Sequence, residues 1–250
     1  MVLRGGGTDS GGAFGSVFPI PYSRVNWQSP IVVACSALVA FFVGSIPFGL
    51  LVARSRGVDI RKHGSGNIGA TNVGRVLGRK AGLTVFALDL VKGLAPTLAY
   101  GILSGGTGSL ALPAHHAWHW LLVMISPILG HMFCPWIGFK GGKGVASALG
   151  ALLGVFPALT LAGLAAAVVW FASLWLWSMV GLSSVLAAAA LPVAVVGLFM
   201  ARGVDPVGSG LPFVLTSAAL ALVVITKHRA NLSRVLKGTE PKVTWLRGKK

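Results

Sequence analysis

Three clusters of small, polar and basic residues interrupt an otherwise apolar chain, and each has the make-up of a phosphate-binding surface. The first is SGNIGATNVGR, Ser65 to Arg75. Gly66 and Gly69 let backbone N–H groups turn toward an anion, as concave phosphate-binding nests do. Ser65, Asn67, Thr71 and Asn72 add hydroxyls and amides, and Arg75 offers a guanidinium fork to phosphate oxygens. An ordinary Gly/Asn turn with an arginine that only sets membrane orientation has the same composition. The second cluster is GFKGGKGVAS, Gly138 to Ser147, with Lys140 and Lys143 set among four glycines. It departs from the P-loop pattern, because Gly144 stands where Ser or Thr would bind magnesium, and this argues against an ATP hydrolase. Backbone donors and two lysines at a helix N-terminus still suit a phosphate; a basic turn that only sets topology is the plainer reading. In the third, KHRANLSRVLKGTE from Lys227 to Glu240, the residues His228, Asn231 and Arg234 recur every third position and share a helix face. A snorkelling basic helix end would look the same.

Asp89 and Lys92, three apart inside an apolar stretch, form a fourth polar feature. Charges within a membrane are costly and face a bundle interior or a cavity. The pair either neutralises itself between helices or places Lys92 near an anionic substrate. His131 is read as a packing hydrogen-bond donor, and Cys35 and Cys134 as small buried thiols with no disulfide or metal spacing.

The elements that must position these clusters follow from composition. Of 250 residues, 54% are hydrophobic and 10% are charged, against roughly 25% charged in an ordinary soluble domain. Mean hydropathy is +0.80. Disorder and a soluble nucleic-acid-binding domain are excluded despite a net charge of +16. What remains is an all-α, polytopic integral membrane protein. Seven apolar segments, about 30–53, 82–103, 117–136, 144–158, 160–178, 182–200 and 211–226, are candidate crossings at about 20 residues per bilayer. Loop 54–80 carries seven basic residues, the tail 227–250 eight, and loop 137–143 two; the opposite side would hold only Arg4, Arg24 and Arg202. Basic residues accumulate on the cytoplasmic side. Seven transmembrane helices with the N-terminus outside and the C-terminus cytoplasmic result. The domain plan is a Gly/Ser-rich tail over 1–29, a membrane domain over 30–227 and a basic cytoplasmic tail over 228–250.

With these motifs in order, the chain resembles the bacterial membrane acyl-phosphate–glycerol-3-phosphate acyltransferase family. The match runs from about Phe42 to Glu240 through GSIPFG (Gly44–Gly49), SGNIGATNVGR, LDLVKG (Leu88–Gly93), GHMFCPWIGFKGGKGVAS (Gly130–Ser147) and HRANLSRVLKGTE. The resemblance implies transfer of an acyl group from acyl phosphate to the 1-hydroxyl of sn-glycerol 3-phosphate. The products would be lysophosphatidic acid and inorganic phosphate, in phospholipid biosynthesis. It implies seven transmembrane helices with the site at the cytoplasmic face of the cell (inner) membrane. The family's polar positions fall on Ser65, Gly66, Asn67, Arg75, Lys92, Lys140, Lys143, His228, Arg229 and Asn231. No metal, cofactor or nucleic acid is implied. The partners are the two substrates, the lipid bilayer and, functionally, an enzyme that produces acyl phosphate.

No histidine is followed five positions later by Asp, so the His-x-x-x-x-Asp arrangement of other glycerolipid acyltransferases is missing, and no triad stands out. The expected mechanism rests on positioning and electrostatics acting on an already activated mixed anhydride. Arg75, Lys92, Lys140, Lys143 and Arg229 would hold two phosphates, and Ser65, Asn67 and Asn231 would orient oxygens. Asn67 and His228 are the candidate catalytic groups, with the hydroxyl proton passing to His228 or to a substrate phosphate. The competing expectation is a membrane transporter of a small phosphorylated anion, which would need polar residues through the whole membrane depth.

Overall fold

The computed structural model describes residues 25–110 and 112–243. Residues 1–24 and 244–250 of the two expected tails lie outside the described residues. Among those described there are α-helices and short 3-10 turns and no strand.

The first apolar segment is two helices, α1 (Pro30–Ser45) and α2 (Phe48–Arg54). Ser29 caps α1 by accepting from Val32 N, and Pro30 occupies the first turn, where its missing N–H costs nothing. Pro47 causes the break, because it lacks an N–H and disfavours helix at the residue before it. At the break the Ile46 carbonyl accepts from Phe48 N at 3.0 Å and also from Lys92 Nζ at 2.8 Å.

After α3 (Ala70–Leu77) come α4 (Arg79–Leu103) and α5 (Ala114–Met132). Near the start of α1 the Gln28 side chain meets His119, and at its end Ser45 O accepts from Cys134 Sγ at 3.0 Å. Thus α1 and α5 run parallel. Trp120 Nε1 donates to Thr97 O, and His131 faces Asp89, so α4 runs antiparallel to α5. This brings the Ser65 loop and the Gly138 loop to one end of the bundle. Glycines set the helix spacing. A Cβ at Gly44 would strike the Pro127 backbone, and one at Gly130 the Phe41 carbonyl. Small residues allow such backbone approach where water offers no driving force.

Then follow α6 (Val145–Gly154), α7 (Thr160–Trp177), α8 (Val180–Ala201), α9 (Leu211–Lys227) and α10 (Arg229–Leu236). Residues Pro30–Arg54 and Ala114–Ile137, with α4, α7 and α8, make five stretches long and apolar enough to cross a membrane. A sixth is added if α9 and α10, bent by 59°, count as one. The expected crossing at 144–158 contains a helix of only 10 residues. At 1.5 Å per residue it spans about 15 Å, half of a hydrocarbon core. The chain then turns at Phe156, whose carbonyl accepts from Gly108 N at 2.9 Å in the loop after α4.

The main core is built from buried residues of α1 and α4 to α9, with Trp120, Phe199, Phe213 and Met124 among the largest. A second cluster, Leu50, Ala53, Ile60, Ile68, Val73, Ala81 and Val85, seats the Ser65 loop on α2, α3 and α4. Of the two thiols expected to be buried, Cys134 is, but Cys35 is exposed on α1. An apolar helix meant for lipid has no reason to hide a small thiol on its outer face.

Candidate active site

A cleft of about 480 Å³ lies where α3, α6, α8 and α10 converge with the ends of α5 and α9. Of the residues picked out by sequence, Ser65, Asn67, Arg75, Lys143, His228 and Asn231 line it together. They come from three clusters separated by up to 166 positions, which the helix topology brings to one place.

The Ser65 loop is organised by Asn72, only 2% exposed. Its Oδ1 accepts from Ser65 N at 2.9 Å, and its Nδ2 donates to His63 O at 3.0 Å and Asn67 O at 2.9 Å. Gly64 and Gly66 take left-handed conformations, with φ of 58° and 69°. At Gly64 a side chain would also collide with Asn72 Oδ1. Asn67 Oδ1 accepts from Gly69 N at 2.8 Å, fixing the turn that starts α3. Gly69, Ala70 and Thr71 therefore present the N-terminus of α3 to the cleft.

The Gly138 loop differs from a free phosphate nest. Gly141 N donates to Met132 O at 3.2 Å and Gly142 N to His131 O at 3.1 Å. A Cβ at either position would strike His131. These glycines let the loop lie against the end of α5, and their N–H groups are already committed. What faces the cleft is Lys143 with Gly144, which caps α6, and the first residues of that helix, Val145 and Ala146. First-turn N–H groups lack intrahelical partners and carry the positive end of the helix dipole, a natural place for an anion.

Lys143 Nζ donates to Asn231 Oδ1 across the cleft. Asn231 Nδ2 donates to Glu240 Oε1 at 2.6 Å, and Arg234 Nε to Glu240 Oε2 at 2.8 Å. Glu240 returns over α10 because Thr239 N pairs with Arg234 O and Val243 N with Ser178 O. Burial lowers the Lys143 pKa; the Arg234 charge adds to that, Glu240 opposes it, and Arg75 adds a smaller push down. Three cations thus crowd one space, a place prepared for anions. Asn231 itself lies against α8, where a Cβ on Gly181 would strike its carboxamide.

His228 sits at the α9–α10 bend, 3% exposed. Its Nδ1 lies 2.8 Å from Val224 O. A carbonyl only accepts, so Nδ1 carries the proton and Nε2 holds the lone pair. Burial pulls the ring down to about 4, against a smaller upward effect of the Val224 bond. The imidazole is therefore neutral at pH 7.

Four predicted positions do not line the cleft. Lys140 and Arg229 are exposed at its surroundings, and Gly66 shapes the Ser65 turn from behind. Lys92 is sealed beneath: its Nζ is 2.7 Å from Asp89 Oδ1 and 2.8 Å from Ile46 O, and it lies over the Phe48 ring. Its ammonium is already surrounded, and of the pair only Asp89 lines the cleft. Sequence reasoning missed Glu240 as a site builder, and it placed Asn72 and Arg234 in their clusters without giving either a role in the site. It also missed the cleft's apolar wall of Phe86 and Trp170. For Glu240 a signal existed: it is one of only five acidic residues and closes the third motif.

An apolar groove continues from the cleft between α6, α7, α8 and α9. Phe86, Val145, Trp170 and Ser184 line both. Trp170 Nε1 donates to Ser184 Oγ at 3.1 Å, so the one polar pair at the junction is satisfied.

Comparison with known proteins places this geometry among relatives. The family model described as Glycerol-3-phosphate acyltransferase matches residues 34–238. The glycerol-3-phosphate acyltransferase of Geobacter sulfurreducens is 42% identical over 203 residues, covering 81% of this chain and 93% of that protein. That of Bacillus subtilis is 39% identical over 217 residues, covering 86% and 100%. The fold is similar to the crystal structure of PlsY (YgiH), an integral membrane glycerol 3-phosphate acyltransferase, in its glycerol 3-phosphate form. The TM-score is 0.72 at 35% identity, over 86% of this chain and 96% of that one.

Proposed function

The chain belongs to the glycerol-3-phosphate acyltransferase family, and on that premise we propose that it moves an acyl group from acyl phosphate to the 1-hydroxyl of sn-glycerol 3-phosphate. It is a multi-pass membrane protein. The observation that carries the reading is one cleft with two kinds of wall. Arg75, Lys143, Arg234 and the N-termini of α3 and α6 suit two phosphates; the adjoining groove suits an acyl chain. The junction at Val145 and Trp170 is where a carbonyl between phosphate and chain would lie.

In this reading the hydroxyl oxygen bonds to the acyl carbon and the carbon–oxygen bond to phosphate breaks. The phosphate leaves with the electron pair. Lys143, Arg75 and the α6 N-terminus hold the developing charge, with donors worth about 3 kcal/mol each when preorganised. Ser65, Asn67 and Asn231 fix substrate oxygens. His228 Nε2 accepts the hydroxyl's hydrogen bond and orients it. At a pKa of about 4 it is a weaker base than a phosphate dianion, whose conjugate acid titrates near about 6. The proton therefore passes to a substrate phosphate. Lysophosphatidic acid and inorganic phosphate result.

We also propose the full topology: seven crossings, N-terminus outside, cleft and C-terminus cytoplasmic. Support comes from the Phe156–Gly108 hydrogen bond, which carries the short α6 segment to the loop beyond α4. The basic residues of loop 54–80 lie at the cleft's end of the bundle. Such a protein depends functionally on an enzyme that supplies acyl phosphate.

The test is purified protein with palmitoyl phosphate and glycerol 3-phosphate, measuring phosphate and lysophosphatidic acid, with acyl-CoA and acyl carrier protein as parallel donors. Equal amounts of both products from acyl phosphate alone are expected. A folded sample that uses only a thioester donor would overturn the donor assignment.

A further inference from the structure

The groove beyond Trp170 has a measurable depth. On α8 its lining runs from Ser184 to Leu191, and on α6 from Val145 to Leu152. Each interval is seven residues, or about 10.5 Å at the helical rise. Between these limits the walls carry small residues, Ala148, Ala166, Ala187 and Ala188, beside the larger Leu149 and Val224. At the far end Leu152, Leu191 and Leu220 are 5%, 3% and 7% exposed. Gly163 packs there against Leu152, leaving only 3.1 Å for a Cβ. On the side, Phe171 lines the groove while 65% exposed, so the groove opens toward lipid.

An extended hydrocarbon of about 1.5 Å bonds advances about 1.25 Å per carbon. About eight carbons therefore fill the distance from the junction to the leucines. We propose that Leu152, Leu191 and Leu220 end the groove about eight carbons from the reacting carbonyl, so that the enzyme reads the proximal half of its acyl chain and leaves the distal half in the bilayer. This rests on the groove being the acyl site of the proposed reaction. The chemistry read is substitution near the carbonyl. A branch near the carbonyl has to be accommodated between these walls, whereas carbons that have left through the open side meet only lipid.

Positional isomers test this without a change in hydrophobicity. Linear hexadecanoyl, 4-methylpentadecanoyl and 13-methylpentadecanoyl phosphates have the same carbon count. With the wild-type protein in lipid nanodiscs, the 13-methyl donor is expected within about twofold of the linear one in kcat/KM. The 4-methyl donor is expected to fall at least about tenfold, since overpacking a tight site by one group has that order of effect. Ala187→Leu, halfway along the groove, is expected to lower kcat/KM for the linear donor similarly while leaving KM for glycerol 3-phosphate unchanged. Equal use of both branched donors would overturn the proposal, and this comparison needs no variant to fold. Phosphate release with no isomer discrimination defeats the ruler alone. No release from any acyl phosphate defeats the underlying reading and the ruler with it.

Discussion

His228 donates its Nδ1 proton to the Val224 carbonyl one turn earlier, at 2.8 Å, and so keeps its Nε2 lone pair for the cleft. Burial holds the ring at about 4. As kcat/KM reports groups of the free enzyme and free substrate, its acid limb is expected near about 6, where a phosphate takes up its proton. His228→Ala is expected to lose about 10²-fold or more in kcat through lost orientation, with that limb in place. A wild-type limb near 4 that vanishes in the variant would make His228 the base.

The same ring makes stability pH-dependent. Its folded pKa of about 4 lies below the ordinary 6.5. Between those values the unfolded chain binds a proton that the folded protein refuses, so stability rises with pH there. The contribution is fully present above 6.5 and is lost as pH falls toward 4. Thermal unfolding of wild type should therefore shift down over that window more than that of His228→Asn. Parallel curves would show that the folded ring titrates normally.

Glu240 joins two side chains of different burial. Its Oε1 takes the buried Asn231 amide, whereas Oε2 takes Arg234, whose side chain is 39% exposed. Removing the carboxylate leaves Asn231 unsatisfied, which costs about 1–3 kcal/mol; the half-exposed ion pair is worth about 0–1 kcal/mol. Glu240→Ala should lower the unfolding temperature and raise KM for glycerol 3-phosphate together, because Asn231 anchors Lys143. Glu240→Gln should stay near wild type in stability. Equal damage from both substitutions would assign the effect to charge.

Much of this was legible beforehand because membrane energetics is severe. Apolar runs became helices, and residues of the three polar clusters at their ends converged on one cleft. Residues of the motifs Ser65–Arg75, Lys143 and His228–Asn231 line one cleft, and it was the family resemblance, more than spacing or charge, that implied they would share a site. What stayed hidden was direction. No pattern says that Lys92 turns toward the Ile46 carbonyl, since that acceptor exists only because Pro47 breaks the helix. Likewise the glycines at 141 and 142 have the composition of a nest, yet serve contact with α5. The groove was invisible because alanines on four helices carry no signal until the helices are packed.

Lys92 and Asp89 are 2.7 Å apart with side chains 3% exposed. Breaking a buried pair by removing one partner costs about 3–5 kcal/mol, and replacing both costs far less. Lys92→Met and Asp89→Asn should each reduce the yield of folded protein, and the double variant should recover part of it. If Lys92 supports the Ile46 break and touches no phosphate, the recovered double variant should keep its KM for glycerol 3-phosphate within about threefold (about 0.6 kcal/mol at RT of about 0.6). A well-folded double variant with KM raised tenfold or more would return Lys92 to substrate binding.

Gly150 decides whether α6 is seated correctly. A Cβ there would collide with the Leu90 carbonyl on α4, and Gly93 meets the Ser147 carbonyl in the same contact. The chain cannot relieve this by rotating a side chain, because backbone opposes backbone. Overpacking of this kind costs about 1–3 kcal/mol or more. It would also displace the N-terminus of α6, which presents Val145 and Ala146 to the cleft. Gly150→Ala should therefore lower the unfolding temperature and kcat together. Gly197 on α8 is the control, with nothing within 4 Å of an added Cβ. Gly197→Ala should be neutral or stabilising by up to about 1 kcal/mol from helix propensity. A Gly150→Ala protein as stable and active as the Gly197→Ala protein would mean that α4 and α6 do not touch backbone to backbone, and that the N-terminus of α6 is placed by other contacts.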